Sequence, residues 1–483
     1  MDGTALCTLR DCTFAYSGEG TALHGVSLHV RAGELVMLVG PSGCGKTTVT
    51  RLINGLAPGH FTGTLTGHAC TGGLEAGRAP LESYARVVGS VFQNPKTQYF
   101  HARSTDELAF PCENAGMPAP QIRERVRQVA ARFGIADLLD RAIVNLSGGQ
   151  QQRLAVASAA VLEPAVMVLD EPTSNLDTAS MARLHGMIAA LKADGVAIVI
   201  AEHRLAWCAD LVDRYCVFDG GELLGAYTAR EFEALPATQR EAWGLRALDV
   251  SADRARIAEL ARAAHGEGAP VLGTRGLEVG YRKRALFRRG VEFSLRIPDV
   301  DVYGGQIVGI MGHNGAGKST FARTLCGLQV PLAGMVELGG EPASASALSR
   351  AAALVMQDVH YQLFAESVRA EVMLETVQDG GELAAAREQC DALLGELDLL
   401  DVADRHPMSL SGGQKQRLAI AVALMGKKRF VVLDEPTSGL DRAHMMQVGA
   451  LLRELAGLGV AVLVITHDDE LAAHWCDRIL ALD

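Results

Sequence analysis

The chain has 483 residues, of which 48% are hydrophobic and 21% are charged, and its formal net charge is −11. This length favours two domains over one, and the composition excludes a disordered or disulfide-stapled chain. Acidic and basic residues are interleaved, so the sequence lacks the basic patch of a nucleic-acid binder, and no nucleic-acid partner is expected. The ten cysteines form no C-x-x-C pair, which argues against zinc and thiol-redox sites. The sequence shows neither a secretory signal nor a membrane-spanning window, so any membrane role is expected to be peripheral.

An internal repeat organises the chain. Three segments return in the same order: GPSGCGKTT at 40–48 and 312–320 (as GHNGAGKST), LSGGQ at 146–150 and 410–414, and VLDEPTS at 168–174 and 432–438. In each copy, short apolar runs alternate with helical patterns, which predicts an α/β fold with a mostly parallel sheet flanked by helices. We predict a first domain over 1–235, a helical and polar linker over 236–270, and a second domain over 271–483.

The first element with a chemical signature is a phosphate-binding loop. The pattern G-x-x-x-x-G-K-[ST] is matched by Gly40, Gly43, Gly45, Lys46 and Thr47, and again by Gly312, Gly315, Gly317, Lys318 and Ser319; the neighbouring Thr48 and Thr320 are counted with it. Glycines let backbone N–H groups turn toward an anion, the lysine reaches the β- and γ-phosphates, and the hydroxyl binds magnesium. Two matches at equivalent places in a repeat argue against an ordinary glycine-rich turn. The loops therefore predict ATP and Mg²⁺ as cofactors.

Tyr16 lies 30 positions before Lys46, and Tyr281 lies 37 positions before Lys318. An aromatic ring at this place can stack on adenine. Packing of both rings in the core is an equally good interpretation.

The LSGGQ segments predict a second anion-binding device. Ser147 with Gly149, and Ser411 with Gly413, open a predicted helix in each copy. Backbone N–H groups at a helix start bind phosphate, whereas serine there is also a favoured capping residue. The two roles are compatible, and we expect both.

Paired carboxylates end a buried apolar run in each copy. Burying adjacent acids is costly unless a metal, a partner or a proton compensates. Asp170 and Asp434 are predicted to orient magnesium, and Glu171 and Glu435 to polarise the attacking water as general bases. His203 and His467 end the next apolar strands at identical spacing and are predicted to contact the γ-phosphate.

Together these motifs resemble the ATP-binding-cassette (ABC) ATPases over nearly the whole chain. The resemblance implies tandem P-loop NTPase domains, each with a helical signature subdomain and an antiparallel β subdomain. It also implies an intramolecular pseudo-dimer in which Lys46 and Ser411 bracket one ATP while Lys318 and Ser147 bracket the other. Both copies keep every element, so two hydrolytic sites are expected.

Cys44 in the first loop stands where the second loop has Ala316. A thiol at a helix start can be reactive, which would let alkylation block the first site selectively. Inert, buried packing is the alternative.

The segments 91–110 and 355–372 indicate a subtype. Gln93 and Gln357 match the Q-loop glutamine, which in this family senses magnesium and the γ-phosphate, and the following residues Gln98–Phe100 and 362–364 resemble the Q-x-F stretch of energy-coupling-factor (ECF) transporters. That resemblance implies an importer of a vitamin or metal ion, with an integral membrane coupling subunit and a small membrane substrate-binding subunit as partners. The chain would then lie at the cytoplasmic face of the cell membrane. Alternatively, the two phenylalanines fill the domain core.

Other classes of cassette protein fit the sequence less well. The family of two-cassette ATPases that act on ribosomes is typified by a long basic linker between the cassettes. In this chain the connection over 236–270 is short and mixed in charge. Fused-cassette importers of sugars usually have altered motifs in the second half. DNA-repair cassette proteins would show zinc-ligand cysteine pairs or a long coiled coil. The ribosomal and fused-importer interpretations stay as alternatives.

Overall fold

The computed structural model describes residues 5–18, 20–174, 176–263, 268–285, 288–356, 359–378, 383–410 and 412–482. The chain divides into two compact units, residues 1–249 with 439–443, and residues 250–438 with 444–483. No helix within the described ranges is long and apolar enough to cross a membrane.

The first unit contains an antiparallel sheet, a mostly parallel sheet and flanking helices. Its described strands are β1 Ala5–Tyr16, β2 Thr21–Arg31, β3 Leu35–Val39, β4 Gly63–Thr71, β5 Leu74–Glu75, β6 Val88–Val91, β7 Val166–Asp170, β8 Ala197–Ala201, β9 Arg214–Asp219 and β10 Glu222–Thr228. Its described helices are α1 Lys46–Ile53, α2 Leu56–Gly59, α3 Leu81–Tyr84, α4 Ser104–Asn114, α5 Ala119–Arg132, α6 Gly148–Ala160, α7 Thr178–Ala193, α8 Ala229–Ala234 and α9 Ala237–Ala242.

The second unit repeats this plan. Its described strands are β11 Leu272–Ala285, β12 Arg288–Arg296, β13 Val300–Val302, β14 Ile307–Met311, β15 Ala333–Leu338, β16 Glu341–Pro342, β17 Ala352–Val355, β18 Phe430–Asp434, β19 Ala461–Ile465 and β20 Arg478–Ala481. Its described helices are α10 Ser251–Leu260, α11 Lys318–Leu325, α12 Ala345–Ala351, α13 Val368–Gln378, α14 Leu383–Glu396, α15 Gly412–Met425, α16 Arg442–Gly457 and α17 Asp469–Trp475.

The parallel sheets are buried on both faces. The strand order is β10-β9-β3-β8-β7-β6 in the first unit and β17-β18-β19-β14-β20 in the second. In the first sheet only β10 runs antiparallel to its neighbour. In β3, Leu35, Met37 and Val39 pack in one hydrophobic cluster while Val36 and Leu38 pack in another, because alternate side chains of a strand point to opposite faces. The predicted α/β class with tandem domains is confirmed.

The predicted linker divides between the two units. Helix α9 belongs to the first unit and α10 to the second, whereas residues 264–267 lie outside the described residues. Within the second unit, α10 packs against α17. Two ion pairs tie these helices together, Arg254 Nε to Asp469 Oδ2 at 2.9 Å and His474 Nε2 to Asp253 Oδ1 at 3.2 Å.

Candidate functional site

The parallel sheet of the first unit brings the sequence motifs together. Gly40 follows β3, Glu171 follows β7 and His203 comes two residues after β8. Strands β3, β8 and β7 are adjacent and parallel, so their carboxyl ends meet at one edge of the sheet, the usual place for ligands in such folds. The second unit has the same arrangement at the ends of β14, β18 and β19.

In the first phosphate loop the lysine side chain folds back and forms hydrogen bonds with the start of the loop. Lys46 begins α1 and is buried, and its Nζ donates to the carbonyl oxygens of Gly40 and Pro41, both at 2.8 Å. A Cβ on Gly40 would lie 2.1 Å from the carbonyl oxygen of Phe218, so only glycine fits there. Gly43, Gly45 and Thr47 lie in the same loop and first helical turn, which gives the helix start and backbone curvature that bind phosphate.

The second loop has the same two contacts to backbone carbonyl groups, and its lysine also lies beside a histidine. Lys318 Nζ donates to the carbonyl oxygens of Gly312 at 2.7 Å and His313 at 3.0 Å. It also lies 2.9 Å from His467 Nε2. A Cβ on Gly312 would lie 2.0 Å from the carbonyl oxygen of Leu482. Gly315 and Gly317 complete this loop, which ends where α11 begins.

A hydroxyl and a carboxylate meet at each loop. Thr47 Oγ1 donates to Asp170 Oδ1 at 3.2 Å, and Ser319 Oγ donates to Asp434 Oδ2 at 2.8 Å. Burial, and then the charge of Glu171, raise the pKa of Asp170 to about 6. Burial likewise raises the pKa of Asp434. Each pair supplies two oxygen ligands, which fits Mg²⁺, an ion that takes few protein ligands and completes its shell with phosphates and water.

The carboxylates that follow these aspartates have an unusual backbone. Glu171 has φ 44° and Glu435 has φ 52°. Both values lie in the left-handed region, which is unfavourable in free energy for any residue other than glycine. His203 Nε2 lies 3.5 Å from Glu171 Oε1, and His467 Nε2 lies 3.5 Å from Glu435 Oε1. The strain and the glutamate–histidine pairing recur in both copies, as expected of functional geometry.

The glutamine of the first copy reaches the same carboxylate. Gln93 is exposed, and its Nε2 donates to Glu171 Oε2 at 2.7 Å. Its counterpart Gln357 lies outside the described residues.

Both tyrosines contact the threonine that follows the phosphate-loop hydroxyl residue. The Tyr16 hydroxyl lies 3.1 Å from Thr48 Oγ1 and accepts from Arg51 Nη1 at 2.9 Å. Thr320 Oγ1 donates to the Tyr281 hydroxyl at 3.3 Å. Tyr281 is 43% exposed, which argues against the core-packing interpretation for that ring.

Ser147 caps α6 through a capping box. Its Oγ accepts from Gln150 N at 3.3 Å, and its N–H donates to Gln150 Oε1 at 2.9 Å. A Cβ on Gly149 would lie 2.2 Å from Ser180 Oγ, so glycine allows α6 to approach α7. Gly413 lies in the first turn of α15. Ser411 lies outside the described residues.

The Q-x-F stretch separates into an inward glutamine and an outward phenylalanine. Gln98 Oε1 accepts from Phe92 N at 3.2 Å and its Nε2 donates to Ser90 O at 3.0 Å, at the end of β6. Gln362 bonds Met356 N at 2.8 Å and Leu354 O at 2.5 Å in the same way. Phe100 is 76% exposed and Phe364 is 79% exposed. The interpretation in which these phenylalanines fill the core is therefore wrong.

In each copy a buried carboxylate, which no sequence motif marks, accepts hydrogen bonds from the backbone of the phenylalanine and of the next residue. Glu107 Oε2 accepts from Phe100 N at 3.0 Å and His101 N at 2.9 Å. Glu371 Oε2 accepts from Phe364 N at 2.8 Å and Ala365 N at 2.6 Å. Both carboxylates follow their phenylalanine at the same distance in the sequence, so an alignment of the two copies could have found them.

The Cys44 thiol is buried in the protein rather than exposed to solvent. Its side chain is 3% exposed and its Sγ lies 3.6 Å from Lys46 Nζ. Burial raises the pKa of the thiol despite that charge. The structure therefore favours the inert interpretation over the reactive one.

Comparisons with known proteins match this architecture. The ABC transporter family model matches residues 23–174 and 295–438. A Treponema denticola protein with the provisional name ABC transporter ATP-binding protein is 39% identical over 481 residues, or 99% of this chain and 95% of that protein. The Bacillus subtilis protein provisionally named HMP/thiamine import ATP-binding protein YkoD is 30% identical over 510 residues, or 99% of this chain and 90% of that protein.

A solved structure shows the same fold. The complex of archaeal ribosomal stalk protein aP1 and archaeal ribosome recycling factor aABCE1 matches with a TM-score of 0.63 and 22% identity. The match covers 98% of this chain and 87% of that one. At that identity the similarity concerns the fold alone.

Proposed function

Because the chain belongs to the ABC transporter family and is an ATPase with two cassettes, we propose that it drives an ECF-type importer of a vitamin or metal ion. Its partners are then an integral membrane coupling subunit and a small membrane substrate-binding subunit. The chain works as a peripheral protein at the cytoplasmic face of the cell membrane. The name of the Bacillus relative supports a vitamin as cargo.

The exposed phenylalanine in each copy is the observation that carries this proposal. Burying a phenylalanine side chain is worth about 1.5–3 kcal/mol. A partner that covers the two exposed rings therefore gains this free energy when it binds. The rings of Phe100 and Phe110 are tilted by 36° with their centroids 5.0 Å apart. In the second copy Leu374, which has the sequence position of Phe110, is 43% exposed. Equal presentation in both copies suits a partner with two similar apolar docking segments.

The chemistry proposed for each site follows its contacts. Lys46 and Lys318 bind the β- and γ-phosphates of ATP, and the two hydroxyl–aspartate pairs hold Mg²⁺, which neutralises phosphate charge. Glu171 and Glu435 polarise the attacking water, while His203 and His467 contact the γ-phosphate. Gln93 senses the occupied site through Glu171. Ser147 and the amide groups at the start of α6 add a second phosphate contact, and Tyr16 and Tyr281 bind adenine.

The catalytic assignment is tested with Glu171→Gln and Glu435→Gln in one chain. We expect ATP to bind with little change while turnover falls by about 10³-fold, because the variant keeps side-chain shape but loses the base. Fluorescent-nucleotide titration measures binding and phosphate release measures turnover. Undiminished hydrolysis would refute the assignment.

The partner assignment is tested by purifying the tagged chain from gently solubilised membranes of its native host. We expect a polytopic membrane subunit and a small integral membrane protein to co-purify. Phe100→Ala with Phe364→Ala should abolish their recovery, whereas Leu224→Ala with Leu458→Ala, which changes exposed leucines elsewhere in each copy, should not. Recovery of ribosomes without membrane proteins would move the function to translation and overturn the importer proposal.

A further inference from the structure

The two copies differ beside their histidines. The first copy has Glu202 before His203 and Arg204 after it, whereas the second has Thr466 before His467 and Asp468 after it. Glu202 is 3% exposed and Asp468 is 2% exposed. A buried carboxylate is tolerated only where hydrogen bonds satisfy it. Each copy therefore keeps one buried acid next to its histidine, but on opposite sides.

In the first copy this acid ties two segments of the site together. Glu202 Oε2 accepts from Thr173 Oγ1 at 2.6 Å, and its Oε1 accepts from the backbone N–H of His203 at 2.8 Å and of Arg204 at 3.1 Å. Thr173 is fully buried and lies two residues after Glu171. The carboxylate thus joins the backbone that carries the histidine to the segment that carries the glutamate.

In the second copy the residue after the histidine, rather than the one before it, forms the equivalent hydrogen bond. Asp468 Oδ2 accepts from Thr437 Oγ1 at 2.8 Å, and Thr437 lies two residues after Glu435. The Asp468 N–H donates to Thr466 Oγ1 at 2.9 Å, so Thr466 occupies the place of Glu202 without forming the tie. Asp468 Oδ1 also accepts from Leu471 N at 3.3 Å and so caps α17.

The distance between the histidine and the glutamate is the same in both copies although the acid has moved. The histidine Nε2 lies 3.5 Å from the glutamate Oε1 in both copies. Two different residues that produce the same tie and the same distance indicate that the tie itself matters. We propose that Glu202 and Asp468 are equivalent positioning residues, which hold the glutamate and the histidine of their own site at a fixed separation. This inference rests on the proposed catalytic roles of Glu171 and His203.

The first test removes the tie from the first copy with Glu202→Thr. The change leaves the Thr173 hydroxyl and the His203 N–H without the carboxylate that accepts from them. The Arg204 N–H can still donate to the introduced hydroxyl, as the Asp468 N–H does to Thr466. Since hydrogen bonds to buried charges are strong, we expect kcat of the first site to fall about tenfold or more. KM for ATP should stay within about twofold, because the phosphate loop and Lys46 are untouched.

The second test restores the tie from the other side. Glu202→Thr with Arg204→Asp gives the first copy the arrangement of the second, and we expect it to recover kcat to within about threefold of the parent chain. Glu202→Thr with Arg204→Asn has nearly the same shape but lacks the carboxylate, and it should not recover. Glu222→Thr, which removes an exposed acid of the same cassette, controls for net charge and should keep the parent kcat.

Steady-state hydrolysis over a range of ATP concentrations is measured in chains that also contain Glu435→Gln, so that kcat and KM report the first site. Without that background, Glu202→Thr should lower total turnover by about half if the sites work independently, and more if they are coupled. Melting temperatures and the ATP-bound fraction correct each rate for unfolded protein. A merely structural role would lower the melting temperature while leaving the corrected kcat unchanged.

Two outcomes would overturn the inference. One is a parental corrected kcat for Glu202→Thr, and the other is an equal rate for the two double variants, in which Glu202→Thr is combined with Arg204→Asp or with Arg204→Asn. A parallel chain with Glu171→Gln in the same Glu435→Gln background separates this failure from that of the proposed function. If Glu171→Gln stops turnover and Glu202→Thr does not slow it, only the positioning role is wrong. If Glu171→Gln still hydrolyses ATP at the parental rate, the catalytic assignment itself is wrong.

Discussion

At the scale of single residues, Gly40 shows how closely the phosphate loop approaches the neighbouring strand. Gly40→Ala would place a Cβ 2.1 Å from the backbone oxygen of Phe218 and 2.7 Å from Cys44 Sγ. The backbone of β9 resists the shift that would relieve the first of these clashes. We expect a loss of about 3 kcal/mol in the free energy of unfolding, together with loss of ATP binding at the first site. Urea unfolding and nucleotide titration measure the two effects.

Gly18→Ala is the matched control for this loss. Gly18 has φ +82° but nothing within 4 Å of an added Cβ, so only the backbone preference is affected and about 1 kcal/mol is expected. If Gly40→Ala cost no more than Gly18→Ala, the close approach would have no energetic weight.

Cys44 gives a second prediction at this scale. Alkylation requires the thiolate, and burial raises the pKa of Cys44, so less thiolate exists at neutral pH than for a free thiol and the rate rises only as pH increases. We expect N-ethylmaleimide at pH 7 to label Cys70 first, because it is partly exposed while the other nine cysteines are buried. Peptide mass spectrometry measures the order. Cys44→Ala, the residue of the second loop, should keep the parent ATPase rate, and preferential labelling of Cys44 would contradict this view.

At the scale of elements, α6 lets capping be separated from phosphate binding. Ser147→Ala removes the capping box and should cost about 1 kcal/mol of unfolding free energy. Ser147→Asp keeps a good capping residue, so stability should stay within about 0.5 kcal/mol, but its negative charge at the helix start opposes phosphate. We therefore expect Ser147→Asp to be stable and poorly active. An active Ser147→Asp chain would confine Ser147 to capping.

The sequence predicted those parts of the site that depend on strand ends. Lys46, Asp170 and His203 could be placed together because their motifs follow apolar runs, and parallel strands end at one edge. The sequence could not predict that Gln98 turns inward while Phe100 points outward. A core-filling phenylalanine and an exposed one are both compatible with such a short segment. That choice depends on the free amide and carbonyl groups at the end of β6, which exist only once the sheet has formed.

The linker shows the same limit at the element scale. Its composition indicated polar helices, but composition does not say which surface a helix packs against. The contact of α10 with α17 comes from ion pairs between residues more than 200 positions apart, such as Arg254 with Asp469. Neither partner has a motif that would mark it in the sequence.

At the scale of the whole molecule, the repeat implies two equivalent nucleotide sites in one chain. Each copy has a lysine bonded to its loop carbonyl groups and a hydroxyl–aspartate pair beside it. In the chain with Glu171→Gln and Glu435→Gln we expect about two ATP molecules bound, because neither change touches the phosphate loops. Adding Lys46→Met or Lys318→Met should each reduce the stoichiometry to about one, since each removes one positive charge that faces phosphate.

Equilibrium dialysis with radiolabelled ATP measures this stoichiometry, and the chain with both lysines replaced serves as the blank. Two bound nucleotides that fall to one with either replacement would establish that the copies bind independently. If either single replacement abolished both, binding at one site would require the other. A stoichiometry of one in the chain that has only the two glutamate changes would mean that the differences between the copies, such as Glu202 against Thr466, outweigh their shared motifs.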